Sequence, residues 1–206
     1  TAPAQDHTVL QSMKQGFDFI RGRDGMVPVI AVAFVCTFLG IPILVFLPVF
    51  AKDVYGGDEK TYTILLAVEA VGAITGALLV AARGKRGGLG RDALAGLILL
   101  GIFESAFAFS PSLLFAGVSL FFGGMALIGC FALLSSLVQL MATDEMRGRV
   151  MSLYNIAFRG GMPIGSLVTG ALVPVFGAPA IVGVYGIILA FLALYLLLFR
   201  RELATL

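Results

Sequence analysis

The chain has 206 residues, 59% of them hydrophobic and 13% charged, with a net charge of +2 and a mean hydropathy of +1.02. Soluble domains run at roughly 45–50% apolar and about 25% charged, so the composition excludes a soluble enzyme, a nucleic-acid-binding module and a disordered tail. A helix of about 20 apolar residues crosses a bilayer, and this length has room for six to eight spans. The chain begins at Thr1 rather than Met, as expected of a processed or truncated piece of a longer protein.

Residues 1–25 read as a polar, cytoplasmic linker. Within them Leu10, Met13, Phe17 and Ile20 recur at three- and four-residue steps, and Gln11, Lys14, Asp18 and Arg21 fall on other faces. That spacing predicts an amphipathic helix, lying on the membrane surface or serving as a solvated linker. Residues 26–206 read as an all-α bundle of six transmembrane helices, with spans at about 26–50, 61–82, 93–109, 113–141, 150–176 and 180–199. The connections are too short to hold a soluble domain. In the first span Gly40 and Pro42 predict a bend, either a moving cavity wall or a static kink. Cys36 and Cys130 lie inside apolar runs with no neighbouring Cys or His, and read as small buried residues.

Charge sets the orientation. With a cytoplasmic N-terminus, one side carries Lys14, Arg21, Arg23, Arg83, Lys85, Arg86, Arg91, Arg147, Arg149, Arg200 and Arg201. The other carries only Lys52 and Lys60, and Arg159 falls inside a span. Eleven of fourteen basic residues on one side is a positive-inside pattern with both termini cytoplasmic.

The six spans divide into two triplets. In the second span Glu69 precedes Gly72 and Gly76; in the fifth, Arg159 precedes Gly161 and Gly165. Glycines four apart allow close helix approach in lipid. Like positions at mirrored depths predict two inverted three-helix repeats. At 1.5 Å per residue Glu69 stands roughly 12 Å from one face and Arg159 about 13 Å from the other. Charges at such depth cost at least about 2.5–3.5 kcal/mol and normally share a wet interior, so the two are expected to pair. Glu104, near the outer end of the short third span, reads as a snorkelling or helix-pairing residue. Gln139, Tyr154 and Asn155 cluster near the inner ends of the fourth and fifth spans, as interhelical hydrogen-bonding groups or substrate ligands.

The segment Thr143-Asp144-Glu145-Met146-Arg147-Gly148-Arg149-Val150-Met151-Ser152-Leu153-Tyr154-Asn155, followed by Phe158-Arg159-Gly160-Gly161-Met162-Pro163-Ile164-Gly165-Ser166, resembles the major facilitator superfamily. More narrowly it looks like the branch containing the enterobactin exporter and macrolide efflux proteins. The run from Leu47 to Val54 and Gly56-Gly57 is similar to the opening of that family's second half. The resemblance implies the C-terminal six helices of a twelve-helix fold, in a bacterial cytoplasmic membrane, with the second and fifth helices of the half bordering a central cavity and the third and sixth outside, which places Glu69 and Arg159 inward and Glu104 outward. The loop Arg83-Gly84-Lys85-Arg86-Gly87 lacks the acid that the family's pattern carries before its basic residues, but keeps the basic anchor.

The expected function is therefore half of a secondary active transporter, exporting a siderophore- or drug-like amphipathic molecule against protons. Its expected partners are that substrate, protons, membrane lipids and an N-terminal six-helix half, with no nucleic acid, cofactor or metal. Glu69, Arg159, Asn155 and Gln139 are assigned to the substrate and proton pathway. Asp144, Glu145, Arg147 and Arg149 form a cytoplasmic gate, and Gly40, Pro42, Gly72, Gly76, Gly161 and Gly165 serve helix packing and bending. The alternatives are a non-transporting structural or assembly subunit and a lipid transporter of the same superfamily. An intramembrane enzyme is disfavoured because the single histidine, His7, sits in the polar tail.

Overall fold

The computed structural model describes residues 9–84 and 87–200. His7, Lys85, Arg86 and Arg201 lie outside the described residues. Among the described residues every regular element is helical.

Helix α1 (Val9–Gly22) packs on the N-terminal part of α8 (Arg147–Phe176). Gly16 is its contact point: a Cβ there would lie 3.0 Å from Leu153 Cδ1 and 3.3 Å from Arg149 Cβ. The docked face is Gly16, Phe19 and Ile20, whereas Met13 and Phe17 are exposed. The apolar stripe read from the sequence is thus split. Close approach at a glycine turns the helix by its small side, and Phe17 instead lies under the Arg21 guanidinium, 4.8 Å from the ring centre.

The first span is not one helix. It runs as α2 (Met26–Gly40), α3 (Pro42–Val45), α4 (Leu47–Val49) and a π-turn over Phe50–Val54. Pro42 and Pro48 each remove a backbone donor, and new helical pieces begin at Pro42 and at Leu47, with Pro48 as the second residue of the latter. The carbonyl of Phe38 loses the donor that residue 42 would supply. It is covered instead by Gly165 of α8, where a Cβ would stand 2.1 Å from that oxygen. Gly40 is enclosed by Leu100, Leu127 and Leu189 at 3.2–3.8 Å from its would-be Cβ.

Helix α5 (Glu59–Arg83) starts at Asp58, whose Oδ1 accepts the N–H groups of Lys60 at 3.0 Å and Thr61 at 3.1 Å. Those bonds, Thr61's foremost, hold the Asp58 carboxyl below its ordinary value. Helix α6 (Leu89–Ala108) begins four residues earlier than hydropathy places it. Its first turn carries Asp92, which forms an ion pair with Arg83 across the loop. The acid missing before the basic loop is therefore supplied from beyond it. Helix α7 (Leu113–Met141) is capped by Ser112 and α9 (Ala178–Phe199) follows α8 after the single residue Gly177, at φ +81°. Among the described residues five elements are long and apolar enough to cross a membrane: Met26–Val54, α5, α7, α8 and α9. Helix α6, 20 residues long, falls short because Arg91, Asp92 and Glu104 interrupt it.

Packing is set by glycines. Helix α5 lies on α7, where a Cβ on Gly72 would stand 2.0 Å from the Phe121 carbonyl oxygen and one on Gly76 2.2 Å from that of Met125. Helix α8 lies on α2 in the same manner, with Gly161 against Phe34 and Thr37 and Gly165 against Phe38. Helices α6 and α9 meet at Gly101 and Gly186, each against the other's carbonyl oxygen. The apolar interior has two parts. One surrounds Cys36, Leu97, Cys130 and Leu134, toward the end bearing Arg83 and Arg147; the other surrounds Leu47, Phe50, Leu65 and Phe107 at the opposite end.

Candidate functional site

The buried stripe of α5 is Leu65, Glu69, Gly72 and Gly76, at helical spacing. Glu69 thus faces α7 by the same rotation that brings the glycines onto it. Gly124 of α7 makes the room: a Cβ there would lie 2.5 Å from the Glu69 carbonyl oxygen and 3.0 Å from Oε1. Helix α6 brings a second acid to the same place. Glu104 is 1% exposed, and neither Oε1 nor Oε2 has a hydrogen-bond partner among the described residues. Glu69, Glu104 and Ser119 line a cavity of about 10 Å³, walled by Ile43, Leu100, Leu120 and Leu127. It lies between the two apolar cores.

Glu69 does not meet Arg159. Arg159 is on the exposed face of α8, and the ion pairs among the described residues are Arg83–Asp92 and Asp144–Arg147. The reason is register. Glu69 precedes its glycine pair by three residues and Arg159 by two. One residue is a rotation of about 100° on a helix with 3.6 residues per turn. The residue of α8 that corresponds to Glu69 is Phe158, which is half-buried against Phe131 and Tyr154. Arg159 corresponds to Ala70, which is exposed.

Arg159 has different company. Ser152, Asn155 and Arg159 share one exposed stripe of α8, continued by the half-buried Ser166. Pro163 lacks the N–H that would bond the Arg159 carbonyl, leaving a free acceptor near that stripe. Helices α5 and α8 are also the least enclosed, with 22% and 17% of their most apolar stretches buried against 39–50% for the other three. A line of polar groups on the open side of an apolar helix can bind a solute or face water, and an unpaired cation there can take an anionic group.

At the α7–α8 connection the Asp144 and Arg147 side chains pair at 2.8 Å. Arg147 Nε donates to the Gln139 carbonyl at 3.4 Å, satisfying an acceptor in the last turn of α7. The side chain of Gln139 is exposed and donates to Ser135 Oγ at 3.2 Å. Arg149 lies beside Met146 and under α1 at Gly16. Glu145 is exposed, and no side chain caps α8. The residues assigned to the gate therefore stand together, and Gln139 joins them through its backbone rather than joining Asn155.

Glu104 is the residue that sequence reasoning misplaced, since the structure turns it inward. Its signal was present: the shortest span carries an acid that no neighbouring turn can offset.

The sequence model of a family described as transmembrane secretion effector matches residues 2–205, nearly the whole chain, and the chain belongs to that family. No curated protein matches it.

Proposed function

We propose that this member of the transmembrane secretion effector family, of the major facilitator type, is the C-terminal six-helix half of a proton-coupled exporter of an amphipathic small molecule. The observation that carries this reading is the polar stripe Ser152, Asn155, Arg159 on the open face of α8. Such groups are unfavourable toward lipid, and a second six-helix half across a wet cavity gives them a use. Arg159 and Asn155 hold the polar end of the substrate there, and Glu69 takes part in proton movement.

Two inverted three-helix repeats are supported by the glycine contacts. The second helix of each triplet rests on the first helix of the other, and the two third helices meet each other. Helix α6 serves as the third span, which brings the number to six. A bacterial cytoplasmic membrane with both chain ends inside is supported by the basic residues collected at one end. On that reading Asp144, Arg147 and Arg149, with Glu145, hold the α7 and α8 ends together as a cytoplasmic gate.

The test is flux in proteoliposomes holding this chain together with its N-terminal half. With an imposed pH gradient, a fluorescent amphipathic cation or acid should move against protons, and Arg159→Ala should lower that flux while insertion is unchanged. Intact insertion with no gradient-driven movement of either probe overturns the reading and leaves a structural or assembly subunit.

A further inference from the structure

We propose that Glu69 and Glu104, which line the cavity between α5, α6 and α7, form a proton-carrying pair, in which Glu104, protonated and enclosed, donates toward Glu69 through a water held in the cavity, and Glu69 takes up and releases the exchangeable proton. The proposal rests on the transporter reading only for its use; the site itself stands on the cavity.

Four observations lead to it. The first is size: about 10 Å³ is space for roughly one water and excludes an organic substrate. The second is the pair of orphaned oxygens. A buried ionised carboxyl without partners is among the costliest groups a protein can hold, and it neutralises by taking a proton. The third is what surrounds Glu104. From α5 comes Glu69; from α7 the Ser119 hydroxyl, 2% exposed; from α3 the apolar Ile43 and Leu44; from α2, at longer range, the Cys36 thiol. No Arg, Lys or His lines the cavity among the described residues, and α9 contributes no lining group. Without positive charge in that lining, two ionised carboxylates cannot coexist there. The fourth is the difference in depth: Glu104 is 1% exposed and Glu69 8%. Two acids in unlike surroundings are driven to unlike roles. The enclosed one keeps its proton and becomes a donor, and the one at the rim exchanges with water.

The step balances simply. A hydronium gives its proton to a Glu69 carboxylate oxygen, forming one O–H bond and leaving water. On release the same bond breaks, and the carboxylate is stabilised by the Glu104 O–H through the intervening water. Glu104 is thus a positioning residue and Glu69 the exchanging one. Because Glu69 lies against Gly124, a shift between α5 and α7 changes the access of water to it.

Infrared spectroscopy of the purified chain in lipid tests this through the carbonyl stretch of protonated carboxylic acids. We expect one such band to persist at neutral pH, when exposed carboxyls are ionised, and a second to titrate. Glu104→Gln should remove the persistent band, and Glu69→Gln should remove the titrating band while leaving the persistent one. Glu104→Leu should shift the remaining titration upward, because the donor to the carboxylate is gone; if Glu104→Gln fails to fold, this variant carries the test. Glu59→Gln, on the exposed start of α5, should change neither band. Absence of a protonated-acid band at neutral pH overturns the proposal, as does a band indifferent to both Glu104 variants. Loss of the band with proton release on adding sodium overturns it in favour of a cation site. Bands as expected without gradient-driven flux support the pair and overturn the exporter reading. Proton-coupled flux without the bands overturns the pair alone.

Discussion

Replacing Gly76 by alanine tests whether glycines set this architecture. The added Cβ would stand 2.2 Å from the Met125 carbonyl oxygen and 2.9 Å from its carbon. Ordinary contact begins near 3.4 Å, so α5 and α7 must part by about 1 Å at that point. The obstacle is backbone, which cannot swing aside as a side chain can. A gap of 0.5–1 Å forfeits a quarter to a half of the dispersion energy of the atoms along it, and forced overpacking costs about 1–3 kcal/mol. A loss of about 2 kcal/mol lowers the folded-to-unfolded ratio about 30-fold. Thermal unfolding in detergent, or steric trapping in bicelles, measures it. Gly165→Ala, 2.1 Å from the Phe38 oxygen, should cost the same. Gly117→Ala and Gly160→Ala, whose Cβ atoms would meet nothing within 4 Å, should be neutral or slightly stabilising. If Gly76→Ala and Gly117→Ala unfold alike, close backbone approach does not hold these helices, and the symmetric reading of the bundle fails with it.

Asp58 makes the first turn of α5 sensitive to pH. Its carboxyl is held low in the folded chain by the Thr61 and Lys60 N–H groups, so its stabilising effect is complete above the unfolded carboxylate value and disappears as pH falls through the folded one. Hydrogen exchange of Lys60 and Thr61 should quicken on acidification beyond the intrinsic change, and Asp58→Asn should abolish that excess; an unchanged profile refutes the cap. Arg147→Ala removes a solvent-exposed ion pair, so stability should fall by less than about 1 kcal/mol while flux in the paired halves drops; normal flux would leave Arg147 a topological role only. Cys36 and Cys130 are buried, which permits labelling at new sites: in intact cells an impermeant maleimide should reach Asp58→Cys and not Gly87→Cys, and the reverse refutes the orientation.

Hydropathy located the helices because a long apolar run leaves little choice in lipid. The fourth span needs no adjustment, since Ser112 and Ala142 bound the apolar run at residues where the helix itself begins and ends. The third differs because hydropathy stops at charge and the backbone does not: Arg91 and Asp92 sit in the first turn of α6, where Asp92 finds Arg83. The first span shows its break at Pro42, where Gly40 and Pro42 predict a bend, whereas the second restart at Leu47 and the π-turn over Phe50–Val54 leave no mark in hydropathy. Rotation about a helix axis is less legible still. Glu69 and Arg159 match by sign and by depth, yet depth along an axis says nothing of the face. The glycine pairs do carry that information, and counting from them places Glu69 inward and Arg159 outward. The meeting of Glu69 with Glu104 had no such marker, because it depends on a third helix whose placement is fixed by Gly101 on Gly186.

The lone residue between α8 and α9 limits how the bundle can change shape. With only Gly177 as a joint, α8 cannot travel lengthwise without pulling α9, and α9 is clamped to α6 where two glycine backbones touch. Sliding is therefore blocked on that side. What remains is pivoting: α8 can tilt about Gly177 like a door on its pin, with its far end, where α1 rests on Leu153 and Arg149, sweeping the widest arc. A force applied through α1 would act at the far end of the longest helix among the described residues.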